Sequence, residues 1–203
     1  MAIAQVLRVS HTDQFLVERC RVRDEHAFSE IVARYKTSIY NYLYRMTSDA
    51  HDAEDLTQDV FIRMYTSLDS FRQQSSLKTW LFRIASNLCI DRYRRRNKHK
   101  AIAYSLDEPF SDASDSGDAR RDAGDETYEP HRLFAQREMS GQIQTALDAL
   151  PDKLRTVVVL FDIEGMTYDE IAQIVGCPVG TVKSRLFNAR LQLRKLLSAY
   201  IAA

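Results

Sequence analysis

Residues 168–190 constrain the fold of this chain more than any other stretch. Ile171, Ala172 and Val175 recur at helical spacing, and Thr167 or Asp169 can cap the helix they define. Gly176 follows, and a residue without a Cβ takes the left-handed conformation that ends a helix at little cost. Pro178 suits the start of a second helix, where an N–H would have no intrahelical partner anyway. On that helix Val182, Leu186 and Leu193 point inward at spacings of four and seven, which leaves Thr181, Lys183, Ser184, Arg185, Asn188 and Arg190 outward. Small polar and basic groups on such a face match a helix lying in a DNA major groove, where they meet base edges and phosphates. An amphipathic hairpin with a solvated basic face fits the same pattern.

The remainder of the chain also reads as helix. Phe28, Ile31, Val32, Tyr35, Ile39, Leu43 and Met46 follow three-and-four spacing, as do Leu56, Val60 and Met64. A third run joins Leu77, Trp80, Leu81, Ile84 and Leu88. Ser48 or Asp49 can start the second of these helices, and Ser75 or Ser76 the third. Residues 107–130 are polar, acidic and almost free of aliphatic side chains, so they cannot bury enough surface to offset their ordering entropy. The reading is all-α. Residues 1–100 and 132–203 form two helical domains, each with its own core, and 101–131 is a flexible acidic linker.

A formal net charge of zero, taken alone, argues against a nucleic-acid partner. Its distribution does not. Residues 1–100 carry 17 Lys and Arg against 12 Asp and Glu, and 132–203 carry 9 against 7, whereas 101–131 carry 2 against 9. Two mildly basic domains thus flank an acidic tether. Cys20, Cys89 and Cys177 are scattered, odd in number and unpaired in spacing, as expected of reduced thiols in a cytoplasmic protein. Scattered histidines offer no local metal site, and no cofactor is implied. No secretory segment or membrane-length apolar run stands out.

Three constellations carry chemistry. Asp52, Asp55 and Asp59 line one helical face, with Glu54 and Gln58 beside them, and repel one another unless a cation docks. A solvated acidic face near a helix N-terminus is the plainer account. Next, the polar loop from Phe71 through Ser75, Ser76 and Lys78 leads into a helix bearing Arg83 and Asn87, four apart. A base lifted from its stack needs an aromatic wall and amide or hydroxyl groups for its edge. Trp80 reads as core, and Phe71 fits either role. Asn87, an amide amid apolar helix, asks for a specific partner. Last, Arg92, Arg94, Arg95, Arg96, Lys98 and Lys100 place six cations within nine residues, more than a helix end requires and suited to phosphates.

Taken together, residues 52–65, 71–92 and 150–155 followed by the helix pair resemble an extracytoplasmic-function (ECF) sigma factor of bacterial RNA polymerase. Residues 177–185 look most like the sigma-E-like subgroup associated with envelope stress. The resemblance implies a region two and a region four joined by a flexible linker. It implies that Asp52, Asp55, Gln58 and Asp59 dock on the β′ coiled coil of core polymerase. It further implies that Phe71, Ser75, Ser76, Lys78, Arg83, Asn87, Arg92, Arg94, Arg95 and Arg96 meet the −10 element, with a flipped base captured by the loop and Asn87. Thr181, Lys183, Ser184, Arg185, Asn188 and Arg190 would enter the major groove of the −35 element while the domain packs on the β flap. The acidic linker would pass near the RNA exit path. Such a protein is no enzyme and needs neither metal nor cofactor; an anti-sigma factor would clamp between its domains. A stand-alone helix-turn-helix regulator would use 181–190 alike, yet leaves the acidic helix and the 71–87 pocket without a role. A metal-dependent nuclease built on Asp52, Glu54, Asp55 and Asp59 ranks lower, because carboxylates along one surface helix rarely form a closed site.

Overall fold

Short polar side chains start the first three helices. Thr12 accepts from the Phe15 amide ahead of α1 (Asp13–Arg21). Asp24 accepts from His26 and Ala27 ahead of α2 (Glu25–Thr47), and Asp49 from Asp52 ahead of α3 (Ala50–Ser67). Each cap satisfies N–H groups that the helix itself leaves orphaned. Of the two residues expected to start α3, Asp49 does so, while Ser48 closes α2 in a left-handed conformation with φ of 59°. A 3-10 turn (Leu68–Ser70) leads to the polar loop, and Ser76 starts α4 (Leu77–Ala103) by accepting from the Thr79 amide at 3.0 Å. The second half comprises α5 (Pro130–Asp148), α6 (Asp152–Val158), a π-helical turn (Val159–Ile163), α7 (Tyr168–Val175) and α8 (Val179–Ile201). α1 has no counterpart in the periodicity reading, and α4 runs past Lys100.

The computed structural model describes residues 12–72, 75–103 and 130–201, with side-chain environments for 12–72, 75–95 and 139–198. The tether at 104–129 and the side chains of Arg96, Lys98 and Lys100 lie outside the described residues. Every element among the described residues is helical.

In the first half Ile31, Ile39, Tyr42 and Leu43 of α2 meet Leu56, Val60 and Met64 of α3 and Leu81, Phe82 and Leu88 of α4, all buried. Burying each such side chain contributes about 1.5–3 kcal/mol. The fully buried Tyr42 hydroxyl finds Ser86 Oγ at 2.5 Å, so its polar atom is not stranded. In the second half Val157 through Leu160 pack with Ile171, Ile174, Val182, Leu186 and Ala189.

The two helical domains expected on either side of the tether pack against each other. Buried residues of both halves form one continuous cluster. Two polar zones join them. In the first, the C-terminus of α2 docks on α5 and α6, and one side chain explains most of it. Arg155 donates to the Met46 carbonyl at 2.9 Å and to the Asp148 carbonyl at 2.8 Å, the last turns of α2 and α5 respectively. A guanidinium there meets orphan carbonyls and the negative ends of two helix dipoles at once. The Gln144 side-chain amide donates a hydrogen bond to the Arg45 carbonyl at 3.2 Å, and Asp148 accepts from Ser48. In the second zone Lys78 donates to the Glu164 carbonyl at 2.9 Å and Thr79 to Glu170 at 3.3 Å.

Asp24 links this frame to pH. Its hydrogen bond from Arg19, more than the amide bonds it accepts, holds its carboxyl below the ordinary aspartate range against the opposing effect of burial. A folded-state value below the unfolded one means stability that is present at neutral pH and lost as pH falls through the folded value. Melting temperature measured from pH 7 down past about pH 4, the ordinary aspartate range, should therefore fall less steeply in Asp24→Asn than in wild type. An equal slope would show that the ion pair contributes nothing.

Candidate nucleic-acid interface

α3 buries Ala53, Leu56, Thr57 and Val60, so Asp55, Gln58 and Asp59 are turned to solvent on the opposite face. Like charges four apart on a helix cost a few tenths of a kcal/mol, which a docked cation would reverse. Asp52 differs. One turn earlier and 23 % exposed, its carboxylate pairs with Arg92 of α4, so two residues expected on separate surfaces are brought together. That pair also ties up one member of the carboxylate set on which a nuclease would depend. Among the described residues no group of three or more His, Cys, Asp or Glu side chains gathers as metal ligands.

Phe71, expected as a possible wall for a flipped base, is 6 % exposed and packs on Trp80 with ring centroids 4.8 Å apart. Its ring belongs to the core, and Trp80 is core as its spacing predicts. Ser75 is half-buried and Ser76 exposed, while Gln73 and Gln74 between them and Phe71 lie outside the described residues. Lys78 is half-buried, its ammonium on the Glu164 carbonyl and 5.8 Å from the Phe82 ring centre. Further along α4, Arg83, Asn87, Ile90 and Arg94 form one exposed stripe at helical spacing, with Arg95 exposed to its side. Asn87 is thus an exposed amide, not one sunk in an apolar surround.

The helix pair begins at a capping box. Thr167 accepts from the Glu170 amide at 3.3 Å, and Glu170 accepts from the Thr167 amide at 2.9 Å. Chiefly this backbone bond holds the Glu170 carboxyl below its ordinary range, and the same carboxylate receives Thr79 from the other half. Gly176 takes φ of +64°, as a left-handed helix end requires. The Pro178 carbonyl then accepts from Thr181 and Val182, so the proline stands just outside α8.

The six α8 residues expected on one outward face divide into three groups. Ser184 and Asn188 are exposed, with Phe187 beside them at 69 % exposure. Lys183 lies 5.4 Å from the Tyr168 ring centre. Arg190 sits over Phe161 at 5.2 Å and donates to Asp162 in the π-helical turn at 3.1 Å. Thr181 and Arg185 are half-buried on the other flank, and an Arg185 nitrogen comes within 3.7 Å of Cys177 Sγ. Between the halves lies a cavity of about 730 Å³, lined by Asn87, Ile90 and Arg94 of α4, Arg155 and Thr156 of α6, and Arg185 of α8. Burial pushes the Cys20 thiol up and that of Cys89 up to about 12, which keeps both as poorly nucleophilic neutral thiols. The exposed Phe187 and the bridging Arg155 and Glu170 were not singled out by periodicity.

A bundle with an exposed acidic face, packed against a helix-turn-helix whose second helix carries polar and basic groups, defines a two-part helical DNA-engaging protein. Comparison with known proteins agrees. The family Sigma-70 region 2 matches residues 31–99, and Sigma-70, region 4 matches residues 140–193. The chain is 39 % identical over 181 residues to the ECF RNA polymerase sigma factor SigW of Bacillus subtilis, covering 89 % of this chain and 94 % of that one. It is 36 % identical to the RNA polymerase sigma-H factor of Pseudomonas aeruginosa, covering 91 % and 93 %. Its fold is similar to that of the sigma factor RpoE solved with the anti-sigma factor NepR from Bartonella quintana, with a TM-score of 0.64 at 25 % identity over 84 % of this chain and 96 % of that one. The chain belongs to the ECF sigma factors, the subunits that bind core RNA polymerase and direct promoter-specific initiation.

Proposed function

We propose that the solvent-facing acids of α3 dock this sigma factor on core polymerase and that the polar faces of α4 and α8 then read the promoter. Asp55, Gln58 and Asp59 supply the docking charge. Asn87, with Ser75, Ser76, Lys78 and Arg83, captures and holds the −10 strand, and Arg94, Arg95 and Arg96 follow its phosphates. Ser184, Asn188 and Arg185 read the −35 element, flanked by Thr181 and Lys183. Arg190, gripped by Asp162, orients α8 more than it touches DNA; Arg92 does the same for α3. Phe71 supports the capture loop from beneath. The domains are residues 1–100 and 132–203, joined by 101–131. The protein acts in the cytoplasm and supplies specificity and melting, while the polymerase carries out catalysis.

The observation that carries this reading is an asymmetry of access. Asp55, Gln58 and Asp59 are exposed. Lys78 and Thr79 are covered by the other half, and Asn87 shares one cavity with Arg185. Two side chains that line one cavity cannot read two promoter elements separated by more than a turn of duplex, about 34 Å. Polymerase docking therefore precedes separation of the halves, and separation precedes DNA reading. An anti-sigma factor, the partner with which the similar RpoE was solved, would act by keeping the halves together, and the sigma-E-like run at 177–185 favours a stress response.

Purified protein added to core polymerase on a genomic library, with 5′ ends sequenced, should yield new starts that share paired −35 and −10 motifs. Tight duplex binding by the protein alone, without polymerase-dependent starts, would favour the stand-alone regulator instead. Asp55→Lys should weaken core binding about tenfold or more, the effect of one charge-assisted contact turned repulsive, with an unchanged melting temperature. Unaltered core affinity would remove α3 as the docking face.

A further inference from the structure

Most polar side chains on the flanks of α8 already have company within the protein. Arg190 is held by Asp162 and lies over the Phe161 ring. Lys183 stands near the Tyr168 ring, and Arg185 is half-buried beside Cys177. Ser184 donates its one hydroxyl proton to the Thr181 carbonyl at 3.0 Å, so only its lone pairs remain for another molecule. Asn188 differs. It is exposed, and among the described residues its side chain makes no hydrogen bond, which leaves both the amino group and the carbonyl of the amide free. Leu186 and Ala189 on either side are buried at 2 % and 0 % exposure, so the backbone that carries Asn188 is anchored in the core. Ser184 lies one helical turn before it, and Phe187 beside it is 69 % exposed.

We infer that Asn188 selects an A·T pair in the −35 element, its amide on the adenine edge and the Phe187 ring against the thymine methyl. This rests on the reading of α8 as the helix that enters the −35 major groove, and adds base identity to it. In that groove adenine shows an acceptor at N7 beside a donor at N6, which one carboxamide matches with a donor and an acceptor side by side. Guanine shows two acceptors there and calls for a guanidinium or an ammonium. The arginine on either flank is engaged elsewhere, whereas the amide is not. An A·T pair also carries the 5-methyl group that a G·C pair lacks, an apolar spot suited to an exposed ring.

The experiment uses full-length protein with core polymerase on promoters randomised across the −35 element, with the transcribed templates sequenced. Wild type should favour adenine over guanine at one position. Asn188→Ala should lower that preference about tenfold, the scale of one bidentate base contact, with the other positions and the melting temperature unchanged. Asn188→Arg should favour guanine at the same position, an exchange that loss of folding cannot produce. Deoxyuridine in place of the thymine of that pair should weaken binding by wild type and leave Phe187→Ala indifferent. An equal loss on every template in Asn188→Ala would assign the amide to phosphate and overturn the inference. Preferences that neither Asn188 variant alters overturn it as well. A wild-type protein whose starts do not depend on any −35 sequence overturns the reading of α8 itself, and the base assignment falls with it.

Discussion

Arg155→Ala should unfold about 3 kcal/mol more readily than wild type, the worth of one to two hydrogen bonds made by a charged group, and should separate the two helical halves. The side chain is 12 % exposed and donates to carbonyls at Met46, Asp148 and Leu150. Removing it strands acceptors at the ends of α2 and α5 until water reaches them, and water reaches them most easily if the halves part. A loss of that size lowers the melting temperature of a chain this long by roughly 6–12 °C. Lysine at 155 should recover only part, because a single ammonium cannot bridge two helix ends as the fork does. Thermal denaturation and small-angle scattering check both halves of the expectation. A variant that melts as wild type does, with an unchanged radius of gyration, would mean that apolar burial alone closes the interface.

Asn87→Ala should reduce open-complex formation by roughly ten- to a hundredfold, because an amide that pairs with a base edge discriminates by about 1–3 kcal/mol. Asn87 is exposed on α4 and makes no part of the apolar core, so stability should change little. Initial binding through the −35 element should be close to wild type. Permanganate reactivity of unpaired thymines against gel-shift affinity separates the two steps. Equal losses in both would place Asn87 on duplex DNA and not on a captured base.

These two residues differ in how far the chain alone announces them. Asn87 is visible as a polar position in a stripe with Arg83 and Arg94, because helical spacing sorts one helix into faces. The same rule exposes Asp55 and Asp59 and buries Trp80. Arg155 gives no such signal. Its shortest contacts are to backbone carbonyls, which every residue carries, and side-chain spacing points only to its looser partner Asp152. Phe71 fails for a related reason: an aromatic at a loop edge fits core or surface equally, and only the place of Trp80 decides. The six residues of α8 show the limit most plainly. Spacing separates them from Val182 and Leu186, but does not tell which of them the π-helical turn and Cys177 will claim.

The amino-acid sequence by itself determined most of the helices, the caps at Asp49, Ser76 and Thr167, the left-handed turn at Gly176 and the order of acidic face, polar loop, basic run and helix pair, though not α1. These follow from local forces, namely the 3.6-residue period, capping geometry and the entropy of polar segments, which act within a few residues. Only the tertiary structure decided that the two halves share one core, that Arg155 and Glu170 bridge them, and that Asp52 and Arg190 are already paired. Those outcomes depend on which exposed face meets which. That choice is made by shape and by orphaned backbone groups far apart in sequence, for which a linear pattern carries no period.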